Sequence, residues 1–345
     1  MVAASSTSAA RRRVAVVGAS GYIGGELLRL LLAHPQVSVV AITGREAAGK
    51  PLDAVHPHLT GTGLVFAPLT ETGGAEVVFL ALPNGEAMTH IDALAGEARI
   101  VDASADFRLH DRSVYAATYG RPHAAVAWLP RFVYGLPELF REDIRRAHYV
   151  AAPGCFATAV TLALYPLVAA GWLEQAFVNG ITGSSGAGAS PRPTTHHPFR
   201  ADALFAYEPF THRHVPEIAQ ALRLKTGQEV DFVFQPHSGP FVRGILVTVY
   251  ARLRQNLSPE GLHRLYAEHY ADAPFIRLRE TPPNIKWVGG TNYCDLGLAV
   301  RGQTAIVWAA LDNVIKGGGG QALQCFNLMH GLPETLGLTA FACNP

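Results

Sequence analysis

The sequence predicts an α/β protein: a doubly wound parallel sheet followed by a second, α+β unit built on a mixed sheet. Three observations carry that prediction. Short β-branched runs alternate with helical stretches over the first ~150 residues, the signature of strands joined by crossover helices. A Gly-rich turn, Gly18-Ala-Ser-Gly21-Tyr-Ile-Gly24, sits between the first such run and the first helix. After Cys155 the texture changes to longer strand-like runs with fewer helices between them.

In chain order, VAVVGAS (14–20) reads as a buried strand ending in a glycine turn. GGELLRLLLAHP (24–35) places Leu27, Leu28, Leu31 and Leu32 at helical spacing and stops at Pro35. VSVVAIT (37–43), VVFLALP (77–83), ARIVDAS (98–104) and HYVAAP (148–153) read as further strands. A helix follows over about 156–170 and ends at Gly171. Residues 177–198, FVNGITGSSGAGASPRPTTHHP, read as a long functional or mobile loop. EVDFVFQPH (229–237), RGILVTVYARL (243–253) and AIVWAALDN (305–313) read as strands, and 258–272 as a helix capped by Ser258. Residues 313–332 read as a Gly-rich turn and a last helix.

The chain has 345 residues, 49% hydrophobic and 16% charged, with a net charge of +1. That is length enough for two domains, and no charge field points to nucleic acid or a membrane surface. The four cysteines lie far apart with no CxxC spacing, which favours a reducing cytoplasm over a disulfide framework. No run of 18 or more apolar residues appears. MVAASSTSAARRR shares the acid-poor composition of transit peptides, but it runs straight into a strand, and residues 1–12 are expected to be a disordered tail.

The glycine turn is the part of the chain best suited to a dinucleotide. Gly18, Gly21 and Gly24 let backbone approach a pyrophosphate, and the following helix start offers free N–H groups and a favourable dipole. This makes residues 13–154 a Rossmann-type domain. An NAD site would place Asp or Glu at the end of the second strand. Here that position reads Ala41-Ile-Thr43-Gly-Arg45, where Thr43 can donate to a ribose and Arg45 can pair a 2′-phosphate. NADP(H) is the cofactor expected.

Cys155 sits where a strand gives way to a helix, and a helix N-terminus lowers a thiol pKa. His212-Arg213-His214 supplies two imidazoles around a cation, followed by Glu217 at a helix start. A carboxylate near a histidine can fix its tautomer. His196-His197 does not make a metal site with this pair, because no carboxylate or cysteine accompanies them at ligand spacing. No metal is expected. A short-chain reductase is excluded because no Tyr-x-x-x-Lys pair exists in the chain.

VGASGYIGGELLRLLLAHP, LALPNG, VDASADFRL, VYGLPEL, APGCFAT, HRHVPEI, GTNYCDLG and DNVIKGGGGQALQCFNLMHGLPET together resemble the N-acetyl-γ-glutamyl-phosphate reductase family of the semialdehyde-dehydrogenase superfamily. The resemblance runs from about residue 13 to 339. It implies that Cys155 is the nucleophile, that His212 and His214 are the acid–base pair, and that Glu217 orients them. It places Ser20, Gly21, Tyr22 and Ile23 on the pyrophosphate, with Ser104, Asn313 and Lys316 on the cofactor. Arg108 is implied to hold the substrate phosphate, with Arg243 meeting phosphate or carboxylate.

The resemblance further implies NADPH-dependent reduction of an acyl phosphate in arginine biosynthesis, a homodimer or homotetramer, and a catalytic and oligomerisation domain over 155–312. Residues 313–345 are expected to return to the cofactor domain. One departure bears on the substrate. The loop SGAGASPRPTTHHP is longer than the common SGAG-basic pattern and resembles both the lysine-biosynthesis paralogue, which acts on an aminoadipyl phosphate held by an amino-group carrier protein, and some arginine-type members. An α-aminoadipyl phosphate, carrier-linked or N-acetylated, is the alternative substrate. A regulator that senses NADP without chemistry would not need Cys155 or the paired histidines.

Overall fold

Val14 and Val16 point to one side of the first strand, Ala15 and Val17 to the other, and all four are fully buried. A strand apolar on both faces belongs at the centre of a parallel sheet covered by helices on both sides. In the computed structural model, which describes residues 11–343, that is its place. The first half of the chain runs β1 (Arg12–Val17), α1 (Tyr22–Leu32), β2 (Val37–Thr43), β3 (Phe66–Ala67), β4 (Val77–Leu80), α2 (Ala87–Ala95), β5 (Arg99–Asp102), α3 (Arg112–Tyr119), β6 (Phe132–Tyr134), α4 (Pro137–Arg146) and β7 (Tyr149–Ala151). Its strands form one sheet in the order β3-β2-β1-β4-β5-β7-β6, every pair parallel. The chain moves outward from β1 to β3 and then returns to β4 on the other side of β1. That reversal opens a crevice at the carboxyl ends of β1 and β4, where such sheets bind nucleotides.

The second half runs α5 (Cys155–Ala169), β8 (Leu173–Thr182), α6 (His197–Arg200), β9 (Phe205–Ala206), α7 (His214–Thr226), β10 (Phe232–Ser238), β11 (Ile245–Leu253), α8 (Pro259–His269), β12 (Ile276–Arg279), β13 (Cys294–Arg301) and β14 (Thr304–Leu311). These strands form a mixed sheet ordered β12-β13-β14-β11-β8-β10-β9. The β10–β8 and β12–β13 pairs are parallel, and the others antiparallel. Helix α5 lies between this sheet and α7, and its apolar side chains are buried almost all round, as a helix covered on every side requires. Ser258 caps α8 by accepting from Gly261 N–H at 3.1 Å.

Two sequence expectations change here. Residues 177–182 are not loop but the end of β8, a central strand. The glycine that disguised it, Gly180, is there because a Cβ would strike the Phe156 ring of α5. The expected tail, residues 1–12, falls on residues outside those described, except that Arg11 precedes and Arg12 already belongs to β1. Beyond β14, a wide turn over Ile315–Gly319 leads into α9 (Gly320–Met329). That last helix packs on α1, α4 and β5, against the first sheet. Among the described residues no helix is long and apolar enough to cross a membrane.

Candidate active site

The glycines around Cys155 explain why these elements meet so closely. Cys155 is the first residue of α5, with Gly154 as its extended N-cap. A Cβ on Gly154 would overlap the His214 imidazole at the start of α7. A Cβ on Gly317 would lie 2.6 Å from that of Cys155, and one on Gly318 would lie 2.5 Å from Ile23 Cδ1 in α1. The run Gly317–Gly318 therefore joins the helix that follows the dinucleotide turn to the helix that carries the thiol. Side chains there would hold the two apart.

Glu217 lies beneath this junction, fully buried. Its Oε1 accepts from Gly154 N–H at 2.7 Å and from the Tyr134 hydroxyl at 2.9 Å. Its Oε2 is 3.6 Å from Arg108 Nη1. The expectation that Glu217 orients the histidines is corrected: it orients the backbone under Cys155. Arg108 is corrected with it. Its Nε donates to Ala152 O at 2.8 Å and its Nη2 to Ala103 O at 3.0 Å, so the guanidinium is occupied by the chain and not turned to a substrate phosphate.

His212 and His214 are both buried, with ring centroids 4.8 Å apart and edge to face. The backbone N–H of His214 donates to His212 Nδ1 at 3.2 Å, so the neutral His212 ring carries its proton on Nε2. His214 Nδ1 has no hydrogen-bond partner among the described residues. Burial, with the Arg213 cation beside it, pushes His212 down to about 4. Burial together with His212, Arg213 and Arg108 holds His214 well below the usual imidazole range. Both rings are neutral at physiological pH.

The thiol departs from the expectation of a lowered pKa. Burial pushes Cys155 up, outweighing Arg213, the Phe156 N–H and Arg108, which each pull it down. Arg213 leads those opposing groups. It is exposed, and no acidic partner is seen for it among the described residues. In the sequence it stands only as the cation between two histidines. The one available signal was its place in HRH.

The turn after β1 fits a dinucleotide. Gly18 has φ +81°, and a Cβ on it would lie 2.6 Å from Ala81 O. A Cβ on Gly24 would lie 2.6 Å from Ala19 Cα, so the helix packs onto its own turn. Gly21 caps α1 without a side chain, and the first turn holds no acid. That leaves the N–H groups of the helix start, beside Ser20, Tyr22 and Ile23, to an anion. Thr43 contributes by another route than expected: its hydroxyl is buried with no partner among the described residues, and its carbonyl accepts from Ala19 N–H at 2.9 Å. Arg45 is exposed at the end of β2 and forms a two-pronged pair with Glu86, at 3.3 and 3.1 Å.

Four other expected contacts are used inside the fold. Ser104 donates its hydroxyl to Asp102 at 2.8 Å, and burial, with Asp106 adding to it, pushes that carboxyl up to about 7. Asn313 accepts from Gly244 N–H at 2.7 Å and donates to Ser185 Oγ at 2.9 Å. Arg243 pairs with Glu26 at 3.0 Å and Asp312 at 3.2 Å, so a substrate anion there would have to displace two carboxylates. Lys316 is fully buried, with Nζ 2.7 Å from Glu138 Oε1 and 2.8 Å from Gln324 Oε1, which corrects its cofactor assignment. A cavity of about 460 Å³ opens against α1, between Tyr22, Glu26 and the Ser184–Gly188 turn. Among the described residues no three His, Cys, Asp or Glu side chains converge as a metal site.

Residues 13–147 match the family described as semialdehyde dehydrogenase, NAD binding domain, and residues 155–313 match semialdehyde dehydrogenase, dimerisation domain. A Methanopyrus kandleri protein named N-acetyl-gamma-glutamyl-phosphate reductase is 45% identical over 335 residues, covering 94% of this chain and 97% of its own. A Deinococcus radiodurans protein named LysW-L-2-aminoadipate 6-phosphate reductase is 41% identical over 350 residues, covering 98% and 99%. Among solved structures, aspartate semialdehyde dehydrogenase II of Vibrio cholerae superposes with a TM-score of 0.73 at 15% identity, over 94% of this chain and 99% of its own. The Candida albicans aspartate semialdehyde dehydrogenase with NADP gives 0.69 at 16%, over 93% and 99%. At those identities the likeness is one of fold.

Proposed function

We propose a reaction for a chain that belongs to the semialdehyde dehydrogenase family: NADPH-dependent reduction of N-acetyl-γ-glutamyl phosphate to N-acetyl-glutamate semialdehyde and phosphate. The observation that carries it is Cys155 at the head of α5, with His214 packed on Gly154 and the dinucleotide turn tied in through Gly317 and Gly318. The names of relatives at 42–45% identity agree with this reaction.

The thiol and both imidazoles start neutral, so Cys155 needs a base as it attacks the acyl carbon. His214, with a free ring nitrogen, takes the thiol proton. The S–C bond forms, the C–O bond to phosphate breaks, and the departing phosphate carries the proton away from His214, leaving a thioester. The N–H groups at the start of α5 stabilise the oxyanion formed on the way. A nicotinamide dinucleotide held by the turn Gly18–Gly21 and the N–H groups at the start of α1 would supply a hydride to the thioester carbon. The C–S bond of the resulting thiohemiacetal then breaks, releasing the aldehyde and the Cys155 thiolate, which takes a proton from solvent. Arg213 holds the phosphate, being the cation near the thiol that no carboxylate claims among the described residues. Arg45, at a β2 end without an acid, favours NADPH over NADH.

A second reading replaces the substrate with a carrier-linked aminoadipyl phosphate. It is favoured by relatives named for LysW-linked substrates at 41–44% identity and by the long exposed stretch over 189–199. A homo-oligomer through the second sheet accompanies either reading. The experiment is phosphate-dependent reduction of NADP by two semialdehydes, N-acetyl-glutamate and free or carrier-linked aminoadipate forms, with Cys155→Ser as control. Turnover only with the aminoadipate form would replace the first reading by the second. Near-wild-type turnover by Cys155→Ser would end the covalent mechanism.

A further inference from the structure

The paired side chains of Arg45 and Glu86 occupy the mouth of the nucleotide crevice. In the sheet, β1 lies between β2 and β4. Arg45 follows the end of β2, and Glu86 follows the end of β4 and immediately precedes α2. Their ion pair therefore joins the two strands on either side of the turn Gly18–Gly21. It is two-pronged, Nη1 to Oε1 at 3.3 Å and Nη2 to Oε2 at 3.1 Å. That is the face of a guanidinium that a phosphate monoester also takes.

The two partners are not equally anchored. The Glu86 segment is held by its backbone: Gly85 N–H donates to Asp106 Oδ1 at 2.6 Å, Met88 N–H to Asp106 Oδ2 at 3.0 Å, and Glu86 N–H to Pro83 O at 3.1 Å. Gly85 itself adopts φ +92°, and the Arg121 guanidinium occupies the space a Cβ would need. Arg45 is the more exposed member, 65% at its side chain against 30% for Glu86.

Resting on the reading that this crevice takes a nicotinamide dinucleotide, we propose that Glu86 is a tethered competitor for the 2′-phosphate and sets the NADPH-over-NADH preference of the site. A 2′-phosphate must draw Arg45 away from Glu86 and then lie beside a carboxylate whose backbone is anchored. A 2′-hydroxyl meets the opposite situation. Glu86 accepts a hydrogen bond from it, as a carboxylate from the end of β2 does in NAD sites, but here the acid comes from the β4 side. The site thus serves both cofactors, with the phosphate preference weakened by Glu86.

The test is calorimetric binding of 2′,5′-ADP and 5′-AMP to the whole chain, with Michaelis constants for NADPH and NADH alongside. Glu86→Gln removes the competing charge and is expected to tighten 2′,5′-ADP by about two- to fivefold, the scale of an exposed ion pair. It should leave 5′-AMP unchanged or weaker and raise the Michaelis constant for NADH. Arg45→Ala should weaken 2′,5′-ADP and leave 5′-AMP alone. If Glu86→Gln does not change 2′,5′-ADP binding while Arg45→Ala still weakens it, the competitor role is overturned and the NADP assignment stands. If Arg45→Ala has no effect on either ligand, both fall.

Discussion

His214 rests on Gly154 where any other residue would place a Cβ; that atom would overlap Nε2, Cε1 and Cδ2 of the ring. Gly154 has φ −68° and ψ 152°, a conformation alanine adopts without strain. Gly154→Ala therefore tests the contact and not the backbone. The imidazole must move off the head of α5, and kcat is expected to fall by on the order of 10²-fold, the lower range for losing a positioned proton carrier. His214→Ala should do the same, and the double variant should lose little more. NADPH affinity should remain. Steady-state kinetics with tryptophan-quenching titration checks it, and unchanged kcat in Gly154→Ala would remove His214 from the chemistry.

The raised thiol and depressed imidazoles make a paired prediction for pH. Alkylation of Cys155 by iodoacetamide, followed in a Cys343→Ser background, should climb with pH to a midpoint above the ordinary thiol value of about 8.5. Arg213 pulls the thiol down, so Arg213→Gln should move that midpoint higher and slow alkylation at pH 8. The same cation pushes His212 and His214 down. The acid limb of kcat/KM should therefore lie below the ordinary imidazole range in wild type and move upward in Arg213→Gln. A midpoint near 7 in the cofactor-free protein would contradict the burial argument.

Lys316 and Glu138 make a buried pair whose loss should read as stability. Glu138 is held below the usual carboxylate range by Lys316, although burial alone pushes it up. The pair thus stabilises the fold above the ordinary carboxylate pKa, and that contribution is lost as pH falls through the lowered value. Lys316→Met leaves burial unopposed and should cost ~3–5 kcal/mol near neutral pH. The sign of the pH dependence then reverses: with its pKa raised, Glu138 protonates in the folded protein, and the variant regains stability towards pH 5. Urea unfolding at pH 7.5 and 5 measures this. Unchanged stability with weakened NADPH binding would restore Lys316 to the cofactor.

The two sheets were legible because β-branched runs and glycine turns are local signals. The places of Cys155 and the histidine pair could also be read, since each lies at a helix start. What escaped depended on distant partners. Arg108 looks like a phosphate holder until Glu217 is brought against it, and no local pattern reports the Lys316–Glu138 bond between residues 178 apart. Strands were missed where glycine serves a neighbour. Gly180 makes room for Phe156 in β8, and Gly297 makes room for Pro283 in β13. In both, a residue that reads as a breaker is there for close packing.

The uncovered face of the second sheet supports one more prediction. Phe177 of β8 stands directly opposite Tyr250 of β11, and Tyr250 stands opposite Ile306 of β14. Phe177 is 52% exposed and Tyr250 45%, unusual for aromatics at the centre of a sheet. The other face is already filled by α5 and α8. A second copy of the chain is the occupant proposed, in keeping with the match of residues 155–313 to a dimerisation domain. Phe177→Asp with Tyr250→Asp puts two charges opposite each other on one chain and repeats them on the facing copy, where like charges repel. Light scattering should give at least twice 36.9 kDa for wild type and 36.9 kDa for the double variant. Circular dichroism should show both folded, because the substituted side chains leave the covered face untouched. A wild-type protein that scatters as a monomer at micromolar concentration would remove the interface.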